Sequence, residues 1–529
     1  MASEPSELPP PEVGATTGVP GSAAAPLDAL EADRGGWFET GSAPAAPFDL
    51  AVVGAGPAGL AATVAAVEAD ARVALVDAAP RVGGQYWRHR ERDDGTAHHD
   101  WSRLVRLRDG VRTAIDAGTV VHFAEVKVWH IEPTADGFTI HALAGEQGRE
   151  IRARTVVLAT GAYDRQLPFP GWTIPGVYTA GAAQALLKGH GVSIGRRVVV
   201  AGTGPFLLPV AAGLAEAGAT VVGVLEAGRP SAFARHPGTM LRSAGKLREG
   251  AAYLRVLRRH RVPYRTRTAV IEAFGDDGVT GVRIARLDPS WGIVTGSQDE
   301  LACDAVAVGY GFTPQPELAL QLGCPHDVDA DGSLVALVDD DQASAVPGVF
   351  LAGEATGVGG ADLSLAEGEI AGHAAAAFAQ GRPVDRTATR RTRARRGRAR
   401  TFADALHEAF PVPRGWLGWL TPETVVCRCE EVTLARIEAA VDDLGATDPR
   451  GVKLVARAGM GLCQGRVCGY AMACLVGDRT GRAVGRADLA GMAARPVAQP
   501  IPLSVLSQGG GTDDPERGDT RTRSPTSTM

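Results

Sequence analysis

The sequence predicts an α/β protein: two parallel-sheet units of one repeated design, followed by a small helical domain toward the C-terminus. Three observations predict it. From residue 48 a short apolar strand runs into a glycine-rich turn and then an alanine-rich helix. The same strand, turn and helix return from residue 197. Five of the seven cysteines then crowd into residues 427–474.

In the first unit, Leu50-Ala51-Val52-Val53 carries no charge and reads as a buried strand. It leads into Gly54-Ala55-Gly56-Pro57-Ala58-Gly59, and a helix follows to about Ala69. A second strand, residues 73–76, ends on Asp77. Gly54 permits the tight turn, Gly56 lets a pyrophosphate approach the backbone, and Gly59 lets helix and strand pack closely. The helix N-terminus, opened by Pro57 and Ala58, offers free N–H groups and partial positive charge to phosphate. Asp77 stands at the spacing from the glycines that lets an acid accept from the ribose hydroxyls of an adenosine half.

In the second unit, the strand at 198–201 meets Gly202-Thr203-Gly204-Pro205-Phe206-Leu207, and a helix runs to about Ala217. A strand over 220–225 ends on Glu226, one position further from Gly202 than Asp77 is from Gly54. The uncharged run 198–215 could pass for a membrane span, but strand, turn and buried helix explain it, so no membrane span and a cytoplasmic protein are expected. Leu207 stands where the third glycine belongs, and Pro209 follows. The fold survives such a change more easily than nucleotide binding does. The site at Gly202, Gly204 and Glu226 is therefore expected to hold NAD, another nucleotide or nothing.

Further strand-to-glycine pieces follow the same logic. Residues 155–159 run into Thr160-Gly161-Ala162, and residues 305–308 into Gly309-Tyr310-Gly311. A strand within 346–352 closes on Gly353-Glu354, and a helix follows over 361–377. An acid at that place suits a flavin ribityl chain, and the helix N-terminus suits negative charge on a reduced flavin ring. In this order the pieces resemble the glutathione-reductase-like flavoproteins over residues 48–380, two Rossmann-like domains of which one is inserted into the other. The resemblance implies FAD held by segments 48–190 and 305–380, with an NAD-type domain inserted over 195–304. It also places Gly84 and Gln85, within Val82-Gly83-Gly84-Gln85-Tyr86, beside the cofactor. That family usually has Asp where this chain has Glu354. No CxxC or CxxxxC pair precedes residue 463, which argues against disulfide reduction.

The late cysteines form a pattern of their own. Val425-Val426-Cys427-Arg428-Cys429-Glu430-Glu431 precedes a helix capped at Thr433, with Leu434, Ile437, Val441 and Leu444 on one face. Gly459-Met460-Gly461-Leu462-Cys463-Gln464-Gly465-Arg466-Val467-Cys468 follows. Cys427 and Cys429 can supply one side of a metal centre, Cys463 and Cys468 the other. By spacing alone, zinc and iron–sulfur both remain open. Cys474 reads as core packing. The motifs resemble the bacterioferritin-associated-ferredoxin-type [2Fe-2S] domain, here over residues 421–480, and that resemblance implies a [2Fe-2S] cluster on the four cysteines.

Taken together, the chain resembles the α-subunit family of heteromeric amino-acid, imino-acid and opine dehydrogenases. This implies an FAD-dependent oxidoreductase that relays electrons between flavin and cluster. It also implies a second flavoprotein subunit that oxidises the C–N bond of an amino acid or opine, and a small ferredoxin-like subunit. FAD takes up two electrons and a [2Fe-2S] cluster one, so the pair suits splitting of electron pairs. No acid–base constellation for C–N oxidation stands out in this chain. A stand-alone NAD(P)H-dependent ferredoxin-type reductase and a non-catalytic iron-handling protein are the alternatives.

Composition narrows the rest. A net charge of −6 gives no reason to expect nucleic acid. Residues 1–47, rich in Pro, Ala, Ser and Glu, read as a disordered arm without signal-peptide features, and 507–529 as a disordered tail. A linker over 381–420 holds eight arginines within residues 386–400 and reads as a solvated helix or a face for an acidic partner. His98-His99-Asp100 reads as loop polarity.

Overall fold

The computed structural model describes residues 46–508. The expected arm and tail fall outside that range but for their innermost residues. The first sheet is built on β1 (Phe48–Val53), β2 (Val73–Val76), β3 (Val120–Phe123), β4 (Val126–Thr134), β5 (Gly137–Ala144) and β6 (Gln147–Leu158), in the order β3-β2-β1-β6-β5-β4. β1 lies parallel to both β2 and β6, with Leu50 opposite Val73 and Thr155. Its near-continuous burial is what the middle strand of a parallel sheet requires. β4 and β5 add an antiparallel edge.

The second sheet uses β7 (Val177–Thr179), β8 (Arg197–Gly202), β9 (Thr220–Glu226), β10 (Tyr264–Thr266) and β11 (Ala305–Gly309), all parallel, in the order β10-β9-β8-β11-β7. The chain then returns to the first sheet, where β12 (Val349–Leu351) pairs with β6. The second sheet thus lies, in sequence, between strands of the first.

Helix α1 (Pro57–Glu68) follows β1, α2 (Ala180–His190) follows β7, α3 (Leu207–Glu216) follows β8, and α4 (Ala244–Arg259) follows β9. Helix α5 (Ala361–Ala379) lies directly on α1. Two glycines one turn apart make that approach possible. A Cβ on Gly368 would sit 2.0 Å from the Ala58 carbonyl oxygen, and one on Gly372 2.2 Å from that of Ala62. The chain segment around α5 is therefore fastened to the first glycine unit, with the whole inserted domain between them in sequence.

The arginine-rich stretch is α6 (Arg390–Ala409), packed on α5. Part of it is tied down within the chain, while Arg390, Arg391 and Arg398 are exposed. Arg400 pairs with Glu367 (3.0 Å), Arg395 with Glu369 (2.9 Å), and Arg386 and Arg393 both with Asp341. Beyond it, Trp416 and Trp419 are buried, with Trp419 stacked on Trp291.

The small domain opens with a hairpin, Val425–Cys427 against Val432–Thr433, then α7 (Leu434–Asp442), Pro449–Ala456 and α8 (Gly469–Arg479). Val426, Ile437, Val452, Met472 and Val476 form its core. It is joined to the larger body, for example through Trp172 Nε1 donating to the Val425 carbonyl (2.5 Å). Among the described residues no helix is long and apolar enough to cross a membrane.

Candidate cofactor sites

The glycines of the first unit divide by what a side chain would meet. Gly54 has φ +106°, and a Cβ there would lie 2.3 Å from the Ala159 carbonyl oxygen; at Gly59 it would lie 1.7 Å from that of Gly54. Both are demanded by the turn itself. Gly56, at φ −74°, is under no such demand: its Cβ would meet only Gly84 Cα, at 3.8 Å. Gly84 in turn has φ +61° and its Cβ would fall 2.7 Å from Gly56 Cα. Two loops thus meet through bare backbone at the wall of a cleft, a cradle that side chains would fill.

Asp77 lies at the end of β2 on the same wall. Its carboxylate accepts from Ala55 N–H and from Ala79 N–H (2.6 Å). Burial pushes its pKa up against those two hydrogen bonds and the nearby Arg88 charge. A carboxylate has about four lone-pair positions, so two remain to accept from a ribose. Arg88, which lines the cleft, has a buried Nε without a hydrogen-bond partner. Glu354 sits beyond β12, and its carboxylate accepts from Gly360 N–H (2.9 Å) and Gly359 N–H (3.3 Å). Burial pushes it up to about 7. The first turn of α5, Ala361 and Asp362, opens on the cleft. Pro57, Ala58, Gln85, Thr160, Gly161 and Gly353 also line it, so the sequence-predicted residues of this unit, Gly59 apart, converge on one space. That space, about 1760 Å³, exceeds the roughly 300–1,000 Å³ of a site for one small ligand. A bare cradle for phosphate, a carboxylate for the ribose and a half-buried acid for the ribityl chain fit FAD.

The second unit differs in its details. Gly202 serves the turn, since its Cβ would lie 1.8 Å from the Gly309 carbonyl oxygen, and Gly204 faces open space. Glu226 is fully buried and turned inward. It accepts from Thr203 Oγ1 (2.8 Å), Gly204 N–H (2.9 Å) and Gly228 N–H (2.7 Å), and burial pushes it up to about 7. It does not line the cleft, whereas Gly204 does. The helix here starts at Leu207, well beyond Gly202, whereas α1 starts at Pro57, close behind Gly54. Leu207 is buried in the core of its own unit, so the leucine lengthens the turn and sets the helix N-terminus back.

Sequence reasoning missed a bridge across the cleft. Lys246 and Glu249, on α4, reach Asp362 (3.0 Å) and His99 (3.4 Å), and Arg103 also pairs with Asp362 (2.7 Å). Beside it Lys188 lines the cleft, with burial lowering its ammonium to about 8. No local pattern signals these residues, which come from elements far apart in sequence. His98, expected as loop polarity, is buried and paired with Asp93 (3.3 Å).

In the small domain, Cys427 accepts from Gly459 N–H (3.3 Å). Its thiol contacts that of Cys468, and Cys429 contacts Cys463. The thiols of the two motifs thus lie against one another. Cys468 and the surrounding N–H groups hold the Cys427 thiol low, at about 6. A Cβ on Gly461 would fall 2.3 Å from Cys429 Cβ, so the loop reaches the first motif only because glycine stands there. The four thiols are gathered in one place. Two irons with two thiolates each fit that arrangement. Cys303, Cys324 and Cys474 are buried in packing.

Comparison with known proteins gives the family. A family model described as pyridine nucleotide-disulphide oxidoreductase matches residues 48–381, and one described as BFD-like [2Fe-2S] binding domain matches residues 425–477. The A subunit of opine oxidase from Rhizobium meliloti is 34% identical over 87% of this chain and 98% of its own. The HcnB subunit of hydrogen cyanide synthase from Pseudomonas protegens is 32% identical over 86% of this chain and 96% of its own. Among solved structures, L-proline dehydrogenase from P. horikoshii shares the fold with a TM-score of 0.61 at 21% identity, covering 87% of this chain and 79% of that one.

Proposed function

Because the chain belongs to the pyridine nucleotide-disulphide oxidoreductase family, as an FAD-dependent oxidoreductase with a BFD-like [2Fe-2S] domain, we propose that it is the electron-relaying subunit of a heteromeric dehydrogenase. Its donor is the CH–N bond of an amino acid, imino acid or opine. The observation that carries this reading is spatial continuity. Tyr470, two positions after Cys468, lines the same cleft as Gly54, Gly56 and Asp77. The cysteine domain therefore borders the cleft that would hold the two-electron carrier.

Bound flavin accepts an electron pair and releases it singly, while a [2Fe-2S] cluster moves one electron at a time. The protein's own groups have separate tasks. Gly56 and Gly84 leave room for the pyrophosphate, Asp77 accepts from the ribose, and Glu354 accepts from the ribityl hydroxyls. The N-terminus of α5 stabilises negative charge on the reduced ring. Cys427, Cys429, Cys463 and Cys468 ligate the cluster, and the N–H groups around them offset its charge. The bridge formed by Lys246, Glu249, Asp362 and Arg103 closes the cleft between the two units.

Two relatives of nearly equal length are named as subunits of an oxidase and a synthase. A second flavoprotein subunit that carries out C–N oxidation, and a small ferredoxin-like subunit, are therefore the partners proposed here. Free, clustered thiols suit the reducing cytoplasm. The reading as a stand-alone NAD(P)H reductase is weaker, because Glu226 is turned inward and Leu207 sets the helix back. Co-purification of the chain with its partners, followed by anaerobic addition of amino acids and opines, tests the proposal. Flavin bleaching by such a donor is expected. Bleaching by NADH at catalytic speed in the chain alone would support the reductase instead.

A further inference from the structure

The cysteine loop is fastened to the cleft by a buried triad. Arg466, between Cys463 and Cys468, places Nε 2.8 Å from Glu317 Oε1, and Arg495 Nη1 lies 3.3 Å from the same oxygen. The side chains of Arg466, Glu317 and Arg495 are only 10%, 7% and 4% exposed. Burying such a group of charges is costly, and two guanidiniums on one carboxylate leave positive charge uncompensated. That cost calls for a reason beyond docking. Arg466 also donates to the carbonyl oxygens of Cys463 (3.2 Å) and Ala498, and its guanidinium faces the Tyr163 ring at 5.9 Å. Tyr163 follows Thr160-Gly161-Ala162 and lines the cleft. One side chain therefore touches the cysteine loop, a carboxylate of the flavin body and an aromatic ring of the cleft wall.

We propose that Arg466 is the positioning residue for electron transfer between cleft and cluster: it locks the Cys463–Cys468 loop against Tyr163, and its buried positive charge favours the reduced cluster. The proposal rests on the electron-relay reading above and names the residue through which the relay is set. In each event one electron would leave the anionic reduced flavin and enter the oxidised cluster. A one-electron acceptor of the ferredoxin type would reoxidise the cluster, and a second event would complete oxidation of the flavin, whose single ring proton goes to solvent. Reduction adds negative charge to a cluster that is already anionic, and a neighbouring cation stabilises that state.

The test uses the full chain with both cofactors, in wild type, Arg466→Gln, Arg466→Lys and Tyr163→Leu. Iron content, the cluster midpoint from a redox titration followed by paramagnetic resonance, and the rate of flavin-to-cluster transfer after flash photoreduction of the flavin are measured. Arg466→Gln is expected to keep its iron, shift the midpoint to lower potential and slow transfer roughly tenfold or more, as loss of positioning does. Arg466→Lys restores the midpoint but not the rate, because it keeps the charge and loses the planar fork. Wild-type midpoint and rate in an iron-replete Arg466→Gln protein overturn the proposal. If Arg466→Gln loses its iron, Tyr163→Leu decides: slowed transfer at an unshifted midpoint supports the junction, and an unchanged rate overturns it. A wild-type protein without iron would instead overturn the relay reading itself, so the two failures are told apart.

Discussion

Replacing Gly56 separates a glycine kept for a ligand from one kept for the fold. Its φ of −74° suits any L-residue, and an added Cβ meets only Gly84 Cα at ordinary contact distance. Gly56 is also the residue that caps α1, where Val is a poorer cap than Gly, so Gly56→Val should cost the flavin-free protein about 1 kcal/mol. Binding is hit much harder. The valine side chain occupies the space in which phosphate oxygens would meet the loop N–H groups. Losing two hydrogen bonds to a charged group, at about 1.5–3 kcal/mol each, weakens FAD by roughly 10²–10⁴-fold. The assay pairs thermal melting of the flavin-free protein with flavin released per chain after purification. Melting close to wild type with little or no flavin is expected. A variant that melts normally and keeps stoichiometric FAD refutes the cradle. Gly59→Val is the contrast, because a Cβ 1.7 Å from the Gly54 carbonyl oxygen should prevent folding of the unit.

Three further outcomes follow from the same geometry. Burial raises Glu354 to about 7 without flavin, so the folded chain holds a proton that the unfolded chain releases near its ordinary 4.5. Stability of the flavin-free protein should therefore fall by up to about 3 kcal/mol as pH rises from about 4.5 through 7. Glu226 adds a fall of its own in the same window, so Glu354→Gln should remove Glu354's share and leave the rest of the slope in melts at several pH values. Cys463→Ser should lose iron and loosen the small domain while flavin stays bound, and Cys474→Ala should lose neither, as metal and flavin analysis would show. NADH should reduce the isolated chain's flavin slowly in stopped flow, since the second unit's acid is consumed internally and its helix starts late.

The two glycine units were legible because their signals are local. Strand, turn and acid fall within one short stretch of chain, so burial pattern and spacing carry them without knowledge of the fold. The spacing also assigned each glycine its task; what it could not show is that Gly84 comes up against Gly56, since that contact joins two separate loops. The four cysteines stand out in the sequence, but the contact between their two motifs depends on how Gly461 lets one loop press on the other. The stretch 386–400 did not reveal that some of its arginines are paired within the chain. Its partners Asp341, Glu367 and Glu369 all precede that stretch and become neighbours only when α6 packs on α5. The inward turn of Glu226 depends on Thr203 and Gly228, and nothing in the spacing after Gly202 reveals it. The triad of Arg466, Glu317 and Arg495 joins segments far apart in the chain, and only the packed structure brings its charges together.

The central claim is that this chain passes electrons from a flavin to a [2Fe-2S] cluster within one body. It is tested most directly by reducing the assembled enzyme anaerobically with its amino-acid or opine donor, while recording flavin absorbance and the paramagnetic signal of the same sample. The account predicts that the flavin bleaches and a reduced-cluster signal appears in the wild type, and that Cys463→Ser keeps the bleaching and loses the signal. Full flavin bleaching with the wild-type cluster remaining oxidised, or stoichiometric zinc in place of iron, would contradict it.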